Sequence, residues 1–67
     1  MFVEIADGEF IAVDTIAAIR RFSKPSERYP VEVPHWLIKT KRGETFQVSS
    51  TSGPYYNNVQ ELVNGRT

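Results

Sequence analysis

Apolar residues recur at every second position where the chain begins. Two such runs, Phe2–Ile5 and Glu9–Val13, flank Asp7-Gly8. Asp-Gly between alternating runs predicts a β-hairpin closed by a two-residue type I′ turn, which needs positive φ at both central residues. That loop pairs Ala6 with Glu9, Ile5 with Phe10 and Val3 with Ala12. It places Val3, Ile5, Phe10 and Ala12 on one face, leaving Phe2, Glu4, Ile11 and Val13 on the other. The second face is less polar than a solvated face, which implies partial cover on both sides.

Asp14 breaks the pattern and suits the start of a single helical turn or an Asx-turn. Ala18–Phe22 then fits a third strand. A short helix over Thr15–Arg21 competes with it, because Ile16 and Ile19 stand at helical spacing beside two alanines. Residues 23–35 contain Pro25, Pro30 and Pro34, a spacing that predicts a long proline-rich loop. Val31-Glu32-Val33 is a candidate extended edge piece within it.

Trp36–Thr40 and Glu44–Ser49 form a second predicted hairpin. A two-residue loop at Arg42-Gly43 sets Trp36 and Ile38 on the face opposite Phe46 and Val48. A three-residue loop, Lys41-Arg42-Gly43, instead pairs Ile38 with Phe46 and Trp36 with Val48. It also puts Gly43 at the left-handed position of a G1 bulge, so both criteria select it. Lys39, Thr45 and Gln47 fall on the outer face, with Leu37 as an apolar exception. Beyond Ser49, Ser52 or Gly53 suits a helix N-cap and Pro54 the first turn. Tyr55, Val59, Leu62 and Val63 follow helical spacing, and Gly65 suits the C′ position. A helix of about ten residues is too short to stand alone in water and must dock on the sheet. The predicted fold is α+β, mainly β: one small domain with an antiparallel sheet of four to five strands and one short C-terminal helix packed on it.

The turn and apolar positions Asp7, Gly8, Phe10, Val13, Asp14, Ile16, Ile19, Ile38, Gly43, Val48, Ser49, Val59 and Val63 give a pattern that resembles the FlbD-type small flagellar proteins. The stretch from Pro25 to Pro34 and the Ser-Thr-Ser-Gly-Pro segment depart from that pattern. The resemblance implies topology, and no function comes with it.

Composition narrows the classes. In 67 residues there is no Cys, so neither disulfide nor thiolate chemistry nor a zinc ribbon is available. No apolar run approaches the roughly 18 residues of a membrane span. The first residues lack the basic and apolar regions of a signal peptide. These features predict a cytoplasmic protein. A domain this short, with no staple, commonly relies on oligomerisation or a bound partner, so a homo-oligomer is expected. The net charge is zero, which excludes a polycation. The charge is nonetheless uneven: residues 1–19 carry −4, residues 20–42 carry +5, and residues 43–67 carry −1.

Candidate chemistry is sparse. His35 is the single His and has no Cys partner, and the carboxylates are scattered. Neither a catalytic triad nor a metal-ligand spacing is present, so a non-enzymatic protein without cofactor or metal is expected. The best ligand candidate is the helix start, Ser50, Thr51, Ser52, Gly53, Tyr55, Tyr56 and Asn57. Hydroxyls and free backbone N–H groups there suit an anion or nucleotide, with Arg20, Arg21 or Lys39 nearby. The basic middle segment offers an alternative. Lys24, Arg28, His35, Lys41 and Arg42, interleaved with Phe22, Tyr29 and Trp36, suit single-stranded nucleic acid by phosphate pairing and base stacking. Trp36 shares the apolar face with Ile38, which favours a core role for it. The expected function is a small binding or regulatory module, acting as a homo-oligomer on a protein partner or small anionic ligand. The alternatives are a bacterial or phage accessory protein that sequesters a nucleotide or cyclic nucleotide as an inhibitor, and an RNA-binding protein.

Overall fold

In the computed structural model, residues 1–25, 30–51 and 53–65 are described. Among the described residues the chain is mainly β, with five strands in two antiparallel sheets and one short C-terminal helix. β1 (Phe2–Ala6) pairs with β2 (Glu9–Ala12), and β3 (Ile16–Pro25), β4 (Glu32–Thr40) and β5 (Thr45–Ser49) form a second sheet with β4 in the middle. The expected single sheet of four to five strands is thus split in two. The helix, α1 (Tyr55–Val63), follows β5.

The first hairpin turns at Asp7-Gly8 and keeps the expected pair Ala6–Glu9. Only Gly8 takes positive φ (75°), so the turn is not type I′. An irregularity between Glu4 and Ala6 leaves Ile5 as an extra residue in β1. Beyond it Glu4 faces Phe10, Val3 faces Ile11 and Phe2 faces Ala12, one residue off the expected register. A strand has a two-residue period, so one inserted residue exchanges the faces. Val3, Ile5 and Ile11 are buried, whereas Phe10, expected inside, is 58% exposed.

Val13–Thr15 forms a single 3-10 turn, closed by the Thr15 hydroxyl donating to the Ala12 carbonyl. β3 then runs straight through the segment that also fitted a helix. A second bulge lies between Ile16 and Ala18, and it places Ile16 opposite Thr40 and Ile19 opposite Ile38. Both isoleucines therefore reach the same side of the sheet from positions three apart, which is why their spacing imitates a helical face.

The expected loop over residues 23–35 is much shorter, because β3 extends to Pro25 and β4 begins at Glu32. The prolines are tolerated for a topological reason. β3 is an edge strand. Pro34 lies in the middle strand just beyond the last β5 pair, His35–Ser49. Its carbonyl accepts from Ser50 N–H at 3.0 Å, so its missing N–H points where no β5 acceptor remains.

The second hairpin has the expected register: Ile38 opposite Phe46 and Trp36 opposite Val48. Gly43 holds φ 89°, and its N–H donates to the Thr40 carbonyl at 3.0 Å. The helix begins one residue later than expected. Pro54 itself is the N-cap, and no side chain caps the helix. Gly65 takes φ 75° and donates to the Leu62 carbonyl, as a C′ glycine does.

The inner faces of both sheets and one side of α1 share a core. It consists of Val3, Ile5, Ile11, Trp36, Ile38, Val48, Tyr56 and Val59, with Ile38 and Val59 fully buried. The Asn58 side chain donates to the Glu4 carbonyl at 3.1 Å, tying α1 to the bulged part of β1. Val63, expected on the docked side, is 49% exposed.

Candidate functional site

The helix start does not gather the residues expected there. The Ser49 and Thr51 hydroxyls bond each other at 2.8 Å, and Thr51 N–H donates to Ser49 Oγ. Ser50 N–H is spent on Pro34. Tyr56 belongs to the core, with its ring 5.5 Å from Trp36. Tyr55 and Gly53 flank the helix start, and Asn57 is exposed on its first turn. The Tyr55 phenol is held above its usual pKa, first by burial and then by the Asp7 and Glu4 carboxylates. Those two negative charges oppose an anion at the same helix end. Ser52 lies outside the described residues.

The basic residues expected beside that helix are elsewhere. Cross-strand pairs share a face, and Ile38, Trp36 and Val48 mark the inner one. The register puts Arg20 opposite Leu37 and Ala18 opposite Lys39, on the side away from the core. Arg21, opposite Trp36, is on the inner side, with its guanidinium 6.0 Å from the Trp36 ring. Lys41 and Arg42 occupy the exposed β4–β5 turn. Arg28 lies outside the described residues.

What the fold does assemble is the outer face of the three-stranded sheet. β3 contributes Ala18, Arg20, Phe22 and Lys24; β4 contributes Val33, His35, Leu37 and Lys39; β5 contributes Thr45, Gln47 and Ser49. Ala18, Arg20, Leu37, Lys39 and Thr45 line a concavity of about 480 Å³. At the other end of the face, Phe22 stacks on His35 with ring centroids 5.5 Å apart and 27° between planes. Lys24 Nζ stands 5.9 Å from the Phe22 centroid and donates to Gln47 Oε1. His35 is buried, and its Nδ1 lies 2.9 Å from the Val33 carbonyl. A carbonyl only accepts, so Nδ1 carries the proton. His35 thus acts as the floor under Phe22 rather than as an open contact. Among the described residues this face holds three cations and no carboxylate.

Leu37, Thr45 and Gln47 were not singled out as site residues from the sequence, and Phe22 entered only as one of the aromatics among the basic residues of the middle segment. The alternation Arg20-Phe22-Lys24 carried the signal, but it becomes legible only once β3 is known to run to Pro25.

Among the described residues no group of three His, Asp or Glu is placed to hold a metal ion, and no helix is long and apolar enough to cross a membrane. The chain matches no protein-family model, no curated protein and no solved structure in comparisons with each.

Proposed function

We propose that this chain is a non-enzymatic binding module that works as a homo-oligomer and holds an anionic ligand on the outer face of β3–β4–β5. The observation that carries the reading is the unmixed charge of that face: Arg20, Lys24 and Lys39 with no acid among them. Three like charges on a shared face repel one another unless an anion neutralises them, so they favour a negatively charged occupant. The helix start, with Asp7 and Glu4 beside Tyr55, lacks this property.

Self-association rests on a different surface. Met1, Phe2 and Phe10 are 69%, 68% and 58% exposed, and together they flank a groove of about 400 Å³ that reaches Val13 and Leu62 and carries Glu4 and Glu61 in its lining. Two aromatic rings so exposed leave about 250 Å² of ring surface in water. With Met1 beside them, the patch matches the largest apolar patches of soluble monomers, roughly 300–600 Å². A second copy placed across a two-fold axis covers that area on both subunits and supplies the apolar centre of a standard interface of about 1,600 Å². Sedimentation at micromolar concentration tests this half, and a stable monomer would overturn it. Titration with inorganic polyphosphate tests the anion half. Binding that Arg20→Glu weakens supports it, and binding indifferent to Arg20→Glu refutes it.

A further inference from the structure

Resting on the anion-binding reading above, we infer that the ligand of the outer sheet face is a single-stranded nucleic acid laid along β4. Four observations converge on that class.

The first is reach. By backbone register on β4, the cationic residues stand level with Val33 (Lys24), Leu37 (Arg20) and Lys39 itself, and the Lys24 ammonium reaches back to Gln47, which is level with Leu37. The backbone positions cover about 20 Å at 3.3 Å per residue, and the Lys24 side chain carries its charge inward from that end of the row. A mononucleotide presents its phosphates in one cluster and meets one end of such a row. A polynucleotide strand offers a phosphate at every step and meets all of it.

The second is a stacking surface between the charges. Phe22 lies between Arg20 and Lys24 on the strand, half-buried and stacked with His35 across the strands, with Lys24 Nζ 5.9 Å from its centroid. Nucleobases stack on exposed aromatic faces, and guanidinium planes serve the same purpose. Leu37, half-buried opposite Arg20, adds apolar surface in the concavity beside it.

The third is a polar margin. Thr45 and Gln47 on β5 face the same way as Lys39 and Leu37. Their hydroxyl and amide groups can donate and accept at sugar or base edges. Gln47 already holds Lys24, so the ammonium is positioned rather than free.

The fourth favours a single strand over the double helix. Reading a duplex requires an element that enters a groove. The cations here lie on the broad face of a sheet beside a hollow, and the one helix packs on the opposite side. A sheet face with basic groups and an aromatic ring fits a strand whose bases are unpaired.

The test uses fluorescence anisotropy with the full chain and four probes: a labelled single strand of about ten nucleotides as DNA and as RNA, the duplex of the same length, and adenosine monophosphate as competitor. Single strands are expected to bind best. Three phosphate contacts give a slope of about −2 in log affinity against log salt, about a fifteenfold loss from 50 to 200 mM. Lys39→Gln and Lys24→Gln should each flatten that slope by about 0.7. Phe22→Leu should lower affinity about tenfold and leave the slope unchanged, because it removes a stacking surface and no charge. Circular dichroism of each variant separates a lost contact from a lost fold. If adenosine monophosphate competes as well as the strand binds, the anion site stands and the polynucleotide inference fails. Equal binding of duplex and single strand overturns the single-strand inference. If no probe binds, and polyphosphate does not either, both readings fall.

Discussion

The two sheets of this protein turn opposite kinds of surface to water. The outer side of β1–β2 shows Phe2 and Phe10. The outer side of β3–β4–β5 shows Arg20, Lys24 and Lys39. Both sheets bury their inner faces in one core, so the contrast does not come from stability. An apolar outer face is suited to dry contact with another protein surface, and a cationic one to a charged, hydrated ligand. The difference teaches that a chain of zero net charge can divide its labour by face. The exposed aromatic pair and the cationic face stand on different sheets, so that an occupant of one need not block the other.

That division can be broken or sharpened by substitution. The largest effect removes both faces together. Ile38 is fully buried at the centre of the shared core, so Ile38→Ala should cost about 2–5 kcal/mol, read as a lowered denaturant midpoint with loss of binding and association alike. Next comes a change confined to the apolar face. Phe10→Ser should move the sedimentation coefficient to that of a monomer at concentrations where the unaltered chain associates. Its polyphosphate affinity should stay within about twofold, since distant sites act independently. A smaller effect falls on the turn that sets the cationic face. Gly43 holds φ 89° with open space around it, so Gly43→Ala meets backbone strain alone. It should destabilise by about 1 kcal/mol by thermal unfolding. The smallest effect concerns Tyr55. Its phenol is held above the usual value, so the unfolded chain ionises first as pH rises. Stability should therefore be unaffected below about pH 10 and decline above it. Tyr55→Phe should remove that part of the decline in a pH series of unfolding midpoints.

Legibility differed between the same two regions. The β4–β5 hairpin was readable residue by residue, because Gly43 fixed the loop length and no bulge intervenes before His35–Ser49. In the β1–β2 hairpin the loop position and the Ala6–Glu9 pair were readable, whereas the turn type and the register from Ile5 outward were misread. Ile5 is a bulge, and neither its type nor its neighbours announce one. Ala17 misled in the same way, turning an edge strand into a rival helix. The prolines misled differently. Pro25 and Pro34 forbid a strand only where their missing N–H has a partner to lose, and the strand order decides that.

The candidate site shows the same limit. Its cations were all visible in the sequence, but Arg20 and Lys39 were grouped with a helix start on the far side of the sheet, and Arg21 was grouped with Arg20. Alternation separates Arg20 from Arg21 at once, provided the segment is known to be a strand.

The places where the chain turns, the mainly β class, the docked helix and the concentration of positive charge in the middle of the chain are all written in local sequence. Those depend on local backbone preferences, on apolar period and on composition. Where the bulges fall, how the strands divide into two sheets, and therefore which side chains share a face, follow from packing between distant segments. Side chains in a strand alternate, so a single inserted residue inverts every assignment beyond it. Its position is set by packing against the shared core, which no local segment contains.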